Sequence, residues 1–254
     1  MTEVDTAFNY SDFAAHHLLG TIDPAITERL SITTKIGFFP EGHDLAPKRL
    51  SEAARQIADE LGRAPDVLLL HNPERSAPMF AAACAELARL RDAGLCGGWG
   101  VSTWDPRVLL GSRVPTSPDV VMVRCGLTVP ARVLVAAERF IMEVQPHEVR
   151  GMSPFGGNTA DPIWSKVDPA RFLEPASRAK EPSRFQSAFA AAFALPRVSA
   201  VAVGTGDVSH LRQLCDAAGL QAEPDTVARY RALLAQRSTL SSKEAANVGE
   251  AARS

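Results

Sequence analysis

Three short segments that read as strands carry unusual polar residues. Asp5 closes Thr2-Glu3-Val4-Asp5, with Tyr10 five residues on. Lys35 lies inside Ile32-Thr33-Thr34-Lys35-Ile36-Gly37, and His71 ends Val67-Leu68-Leu69-Leu70-His71-Asn72-Pro73-Glu74. Burying an unpaired ammonium costs several kcal/mol, so a lysine in an apolar strand needs a carboxylate, and Asp5 on an adjacent strand supplies one. A tyrosine hydroxyl near that ammonium has its pKa lowered, because the cation favours the phenolate. A neighbouring histidine orients a substrate carbonyl or relays a proton. Singly, each residue has a plainer role: a strand-end Asp caps a helix, and a His after three leucines sits in a core. Together they make a general-acid device for a carbonyl oxygen.

The elements that must position these groups are legible as an alternation. Apolar runs at Ser31–Gly37, Asp66–His71, Trp99–Ser102, Asp119–Arg124, Val149–Ser153 and Val198–Gly204 predict strands, several buried on both faces of a parallel sheet. Helical spacing recurs in Leu50, Ala54, Ile57 and Leu61, and in Phe80, Ala83, Leu87 and Leu90. Val208, Leu211 and Cys215 repeat it with Gly219 as C-cap, and Val227, Tyr230 and Leu234 predict a last docking helix. Repeated βα units with right-handed crossovers favour a TIM-type (β/α) barrel, in which functional groups gather at the C-terminal ends of the strands. A dinucleotide fingerprint after a first strand is lacking: Gly204-Thr205-Gly206-Asp207-Val208-Ser209 has Ser where the third Gly belongs.

Composition agrees. The 254 residues are 46% apolar and 22% charged with a net charge of −2, which excludes a disordered chain and bulk electrostatic binding of nucleic acid. No apolar stretch approaches the roughly 18 residues of a membrane span. Cys84, Cys96, Cys125 and Cys215 form no C-x-x-C pair and lie near no histidine cluster, so buried reduced thiols in a cytoplasmic protein are expected, with no metal. The first residues lack the features of a signal peptide. Residues 1–237 read as one barrel domain and 238–254 as a flexible tail rich in Ser, Ala and charge. The adjacent His16 and His17 read as surface or helix-end residues, and Asn158 to Arg184 as a segment over the barrel mouth.

In order and spacing, residues 3 to about 215 resemble the aldo-keto reductases. Asp5-Thr6-Ala7-Phe8-Asn9-Tyr10-Ser11 stands where that family has D-T-A-x-x-Y-G. Thr34-Lys35, Leu69-Leu70-His71, Gly100-Val101-Ser102, Ser153-Pro154-Phe155-Gly156-Gly157 and Val201-Ala202-Val203-Gly204-Thr205 follow its later strands. The resemblance implies a catalytic tetrad of Asp5, Tyr10, Lys35 and His71, with Tyr10 protonating a carbonyl oxygen as NADPH delivers hydride. It implies cofactor contacts at Ser102, Thr103, Ser153, Phe155, Gly156, Gly204, Thr205 and Gly206. Trp104 and Arg124 are expected toward the substrate, Arg124 as a bidentate partner for a carboxylate or phosphate. The implied substrate is a small-molecule carbonyl compound.

The chain departs from the family pattern in four places. It begins almost at the family's second strand, so only seven βα units are present, and a missing strand would leave two unpaired edges. Another subunit in a homo-oligomer, a rearranged segment, or a start further upstream would each resolve that. Met122 and Cys125 replace the Gln and the stacking Tyr of the nicotinamide platform. Asp207 stands where a Lys or Arg would grip a 2′-phosphate, which leaves NADH, or no cofactor, as alternatives to NADPH. Ser11 replaces Gly, a change expected to be tolerated. These departures motivate a second reading, a cofactor-independent enzyme driving dehydration, enolisation or cyclisation by acid–base steps on the same barrel. A third is a non-catalytic partner subunit, against which the buried lysine argues.

Overall fold

The computed structural model describes residues 2–157 and 161–236. The tail assigned to 238–254 lies outside them. Strand β1 (Glu3–Asp5) is followed by helices α1 (Ala15–Gly20) and α2 (Pro24–Thr27), then by β2 (Ser31–Ile36). A small hairpin, β3 (Phe38–Phe39) and β4 (Gly42–His43), precedes α3 (Pro47–Leu61). The chain then runs through β5 (Val67–His71), α4 (Phe80–Asp92), β6 (Gly98–Thr103), β7 (Val120–Arg124), α5 (Ala131–Val144) and β8 (Glu148–Met152). Helices α6 (Ile163–Lys166), α7 (Pro175–Arg178) and α8 (Arg184–Ala192) lead to β9 (Ala200–Ala202) and α9 (Val208–Ala217). Residues 224–236 form the last helix, as its spacing predicts.

Strands β1, β2, β5, β6, β7, β8 and β9 lie in one parallel sheet in that order, with helices between them. This is an α/β barrel of the TIM type with seven strands among the described residues, where the complete fold has eight. The β3–β4 hairpin belongs to a separate two-stranded sheet that the sequence reading did not anticipate.

By its internal contacts the chain divides into two compact units, Met1–Val123 with Arg139–Arg150, and Arg124–Glu138 with Gly151–Ser254. In the first unit, register sorts the strand residues onto two faces. Asp5 pairs with Thr33, Lys35 with Leu69, Leu69 with Gly100, and His71 with Ser102. Alternation therefore puts Asp5, Lys35, His71 and Ser102 on one face of the sheet. The other face carries Ile32, Ile36, Leu68, Leu70, Trp99 and Val101, all at most 2% exposed. Gly100 is dictated by crowding: a Cβ there would meet the Val120 carbonyl oxygen at 1.9 Å.

The second unit has its own core of Leu127, Val133, Leu134, Phe172, Ala191, Leu195 and Val227. The sequence suggested that 158–184 covers the barrel mouth. Residues 158–160 lie outside the described residues. Much of the remainder folds as short helical turns whose Phe172, Leu173 and Ser177 are buried, and Phe172 packs edge-on against Tyr230 at 5.2 Å. Apolar residues between the prolines explain this: they have a core to enter. Gly219 does not cap α9 in a left-handed conformation. The C-cap is Ala218, at φ −62°, so the helix ends without the αL turn its glycine suggested.

Candidate active site

Asp5, Tyr10, Lys35 and His71 all lie in the first unit, and the structure brings them together. Lys35 is 2% exposed. Its Nζ donates to Asp5 Oδ2 at 2.5 Å and to the Thr6 carbonyl at 2.8 Å. Burial pushes the Asp5 carboxyl up and the Lys35 ammonium down, and the attraction between the two opposes both shifts. Beneath them, Arg150 of β8 donates to Thr33 Oγ1 at 2.8 Å and to Glu148 Oε2 at 2.7 Å, and its charge also favours ionised Asp5. No signal in the sequence placed Arg150 there, because its partner Thr33 is 117 residues away.

Tyr10 follows β1 on a tight turn. Phe8 anchors that turn through its N–H to the Lys35 carbonyl at 2.8 Å and through ring contacts with Phe13 and Phe39. Ser11, Asp12 and Phe13 are all left-handed, at φ 51°, 53° and 66°. Such geometry is unfavourable for residues with a Cβ, and glycine adopts it freely, which accounts for the glycine favoured after this tyrosine. Ser11 accepts the strained conformation here.

The Tyr10 ring is 43% exposed, 5.2 Å from Lys35 Nζ at its centroid and 6.0 Å from the His71 ring. The sequence reading had the lysine lowering the tyrosine pKa. The structure reverses this: burial, then the Asp5 charge, raise Tyr10 above its ordinary 10.0. Lys35 faces the π-cloud, and its charge is matched by Asp5. The hydroxyl therefore stays protonated through neutral pH, the form a proton donor requires.

His71 ends β5 against the edge-on ring of Phe38, 4.9 Å away. Its Nδ1 is buried and has no hydrogen-bond partner among the described residues. Burial first, then the nearby cations, push its pKa down to about 3. The imidazole is thus neutral and can donate one hydrogen bond to a carbonyl oxygen. Two pH effects follow. The rate should show no inflection near the ordinary imidazole value of 6.5. From 6.5 down to about 3, unfolded chains take up a proton that the folded one does not. Stability therefore falls with pH across that window, and His71→Gln should flatten this fall in a series of thermal melts.

Two further residues hold this site, and sequence reasoning missed both. His43 Nε2 donates to the His71 carbonyl at 2.8 Å, which leaves Nδ1 to accept from the Ser76 hydroxyl at 2.8 Å. Gly37, at φ +143°, lets that ring approach: a Cβ there would lie 3.0 Å from the His71 oxygen. Glu74 accepts from Thr103 Oγ1 at 2.9 Å and from the Trp104 and Asp105 amides at 2.8 and 3.2 Å. The acidic residue after Asn72-Pro73 was the available signal for Glu74. The two-residue strand carrying His43 has no periodicity to read.

Of the expected cofactor residues, Ser102 is fully buried beside His71 in register, whereas the Thr103 hydroxyl is committed to Glu74. Trp104 is 42% exposed. Met122 is buried on β7. In the second unit, Arg124 is half-buried at the end of β7, and Cys125 is buried. Ser153 is left-handed, Phe155 stacks on Phe185 at 4.4 Å, and the backbone of Gly156 lies against Thr128. Gly204, Thr205 and Gly206 are exposed, and the Asp207 carboxylate caps α9 through the Ser209 N–H at 2.7 Å. His16, expected at the surface, is fully buried and pairs with Thr34 Oγ1 at 2.7 Å, because α1 turns it toward β2, while His17 is exposed.

The Aldo/keto reductase family model matches residues 1–123, the stretch that carries Asp5, Tyr10, Lys35 and His71. No curated protein matches the chain. Among solved structures, the holo aldo-keto reductase from Bacillus halodurans is similar at a TM-score of 0.70 and 16% identity, over 92% of this chain and 82% of that one. A thermostable aldo-keto reductase bound to the inhibitor epalrestat gives 0.68 and 22%, over 91% and 80%. An aldo-keto reductase from Klebsiella pneumoniae in complex with NADPH gives 0.64 and 16%, over 92% and 80%. These likenesses establish the fold, and the family match over residues 1–123 shows that just under half of the chain is similar to the aldo/keto reductases.

Proposed function

We propose that the protein reduces the aldehyde or ketone group of a small metabolite with a nicotinamide dinucleotide. The observation that carries this reading is the pair of buried Lys35 and part-exposed Asp5 beneath the Tyr10 ring, with a neutral His71 at its edge. Tyr10 gives its phenolic proton to the carbonyl oxygen. Lys35 lies 5.2 Å from the centre of the ring that becomes the phenolate and offsets the charge of Asp5, which holds Lys35 in place. His71 orients the same oxygen through a hydrogen bond. When bound, the reduced nicotinamide supplies the hydride, and the chain supplies position and electrostatics.

Ser102, buried beside His71 in register, is the residue this reading assigns to the carboxamide end of such a cofactor. At the start of α9, Asp207 offers a carboxylate where a 2′-phosphate grip would need a cation, so NADH is weighed beside the NADPH of the Klebsiella structure. Fluorescence titration with each dinucleotide tests the reading. At least one is expected to bind with a Kd on the order of micromolar. Binding of neither would overturn it.

A further inference from the structure

The mouth side of the site carries a cation that the proposed reaction does not use. Arg75 follows Glu74 in the turn after β5 and is exposed. Its guanidinium carbon lies 5.2 Å from the centre of the Phe38 ring, which packs on His71 at 4.9 Å. His71 in turn faces Tyr10 at 6.0 Å. Arg75 is therefore separated from the reacting groups by a single aromatic side chain. Its charge is also felt by His71, whose protonation it opposes.

Four arginines of this unit illustrate the usual neutralisation by a carboxylate. Arg49 meets Glu41, Arg89 meets Glu86, Arg107 meets Asp105, and Arg150 meets Glu148. Arg75 has no ion pair among the described residues. The adjacent Glu74 is unavailable to it, since both carboxylate oxygens serve Thr103 and the Trp104 and Asp105 amides. A guanidinium laid over an aromatic face keeps its N–H edge open for a planar anion. The remaining polar groups nearby, His43 and Lys35, add no negative charge: His43 is tied to the His71 carbonyl and Ser76, and Lys35 to Asp5.

Resting on the carbonyl-reductase reading, we propose that Arg75 selects an anionic substrate. Its class is an aldehyde or ketone with a carboxylate or phosphate group far enough from the carbonyl to pass the Phe38 ring. The guanidinium takes the anion while the carbonyl oxygen sits between Tyr10 and His71. Arg75 is thus a specificity-determining residue.

The test compares 4-formylbenzoate, 4-formylphenyl phosphate and the uncharged methyl 4-formylbenzoate. Calorimetric binding is measured with and without NADPH, alongside turnover. The wild-type protein should bind one or both anions at least about 10-fold more tightly than the ester, which is about 1.4 kcal/mol. The anion with the larger preference names the group. Arg75→Gln should remove that preference without changing ester binding or NADPH affinity, Arg75→Lys should restore part of it, and added salt should weaken it. Equal binding of anions and ester by the wild type, or an Arg75→Gln loss shared equally by the ester, would overturn the proposal. Anion binding that depends on Arg75 without turnover of any aldehyde would uphold it and defeat the reductase reading instead.

Discussion

Replacing Tyr10 with Phe is expected to lower kcat for carbonyl reduction by about 100- to 10,000-fold, the usual range for losing a positioned proton donor. Dinucleotide affinity should stay within about 2-fold of the wild type, since the hydroxyl alone is removed. The fold should also survive. The ring remains to pack against His71 at 6.0 Å and to receive Lys35 at 5.2 Å. Tyr10 is 43% exposed, and the turn is held by backbone bonds such as Tyr10 N–H to the Ala7 carbonyl at 3.1 Å. Steady-state kinetics with a paired thermal melt check both halves. A loss in KM alone would assign the hydroxyl to binding and remove Tyr10 from the acid role.

Lys35→Met should have the larger combined effect, because it acts on stability as well as rate. Lys35 is almost wholly buried, and Asp5 retains only 27% side-chain exposure. Removing the ammonium strands a largely desolvated carboxylate and takes the donor from the Thr6 carbonyl. Breaking one half of such a pair costs about 3–5 kcal/mol. The rate should fall at least as far as in Tyr10→Phe, since the forming phenolate then faces Asp5 with no cation between them. A cycle with Asp5→Asn separates the two effects. The double variant should recover stability relative to Lys35→Met, because the stranded charge is gone, and should recover no activity. Recovery of activity in the double variant would show that the pair serves the fold alone.

The sequence made the first unit legible where physical constraints are local. The Leu68-Leu69-Leu70 run has few ways to be buried other than as a central strand, and β5 is one. Lys35 within an apolar strand demanded a carboxylate, and the partner is Asp5 as reasoned. What was not legible depends on three-dimensional approach. Residue types and spacing suggest that an ammonium lies near Tyr10. They do not say that it meets the ring face while Asp5 matches its charge, and so the direction of the tyrosine shift was misjudged. Arg150 reaches Thr33 across more than a hundred residues of chain. The Phe38–His43 hairpin is too short for a period of two to register, yet it supplies the aromatic wall beside His71 and the histidine behind it. His16 shows the same limit, since adjacent histidines face different ways and only packing decides which is buried. The cofactor residues drawn from family motifs were less informative than the tetrad, because small residues such as Gly204 and Gly206 sit in open space and carry little sterically enforced meaning.

The proposed reaction couples oxidation of a reduced nicotinamide to proton delivery from Tyr10. Its most direct test is a single-turnover experiment with excess protein, reduced dinucleotide and an aldehyde, following cofactor absorbance while the product is quantified. One alcohol is expected for each cofactor oxidised, with both signals abolished together in Tyr10→Phe. Conversion of the carbonyl compound without cofactor oxidation, or oxidation at an unchanged rate in Tyr10→Phe, would contradict it.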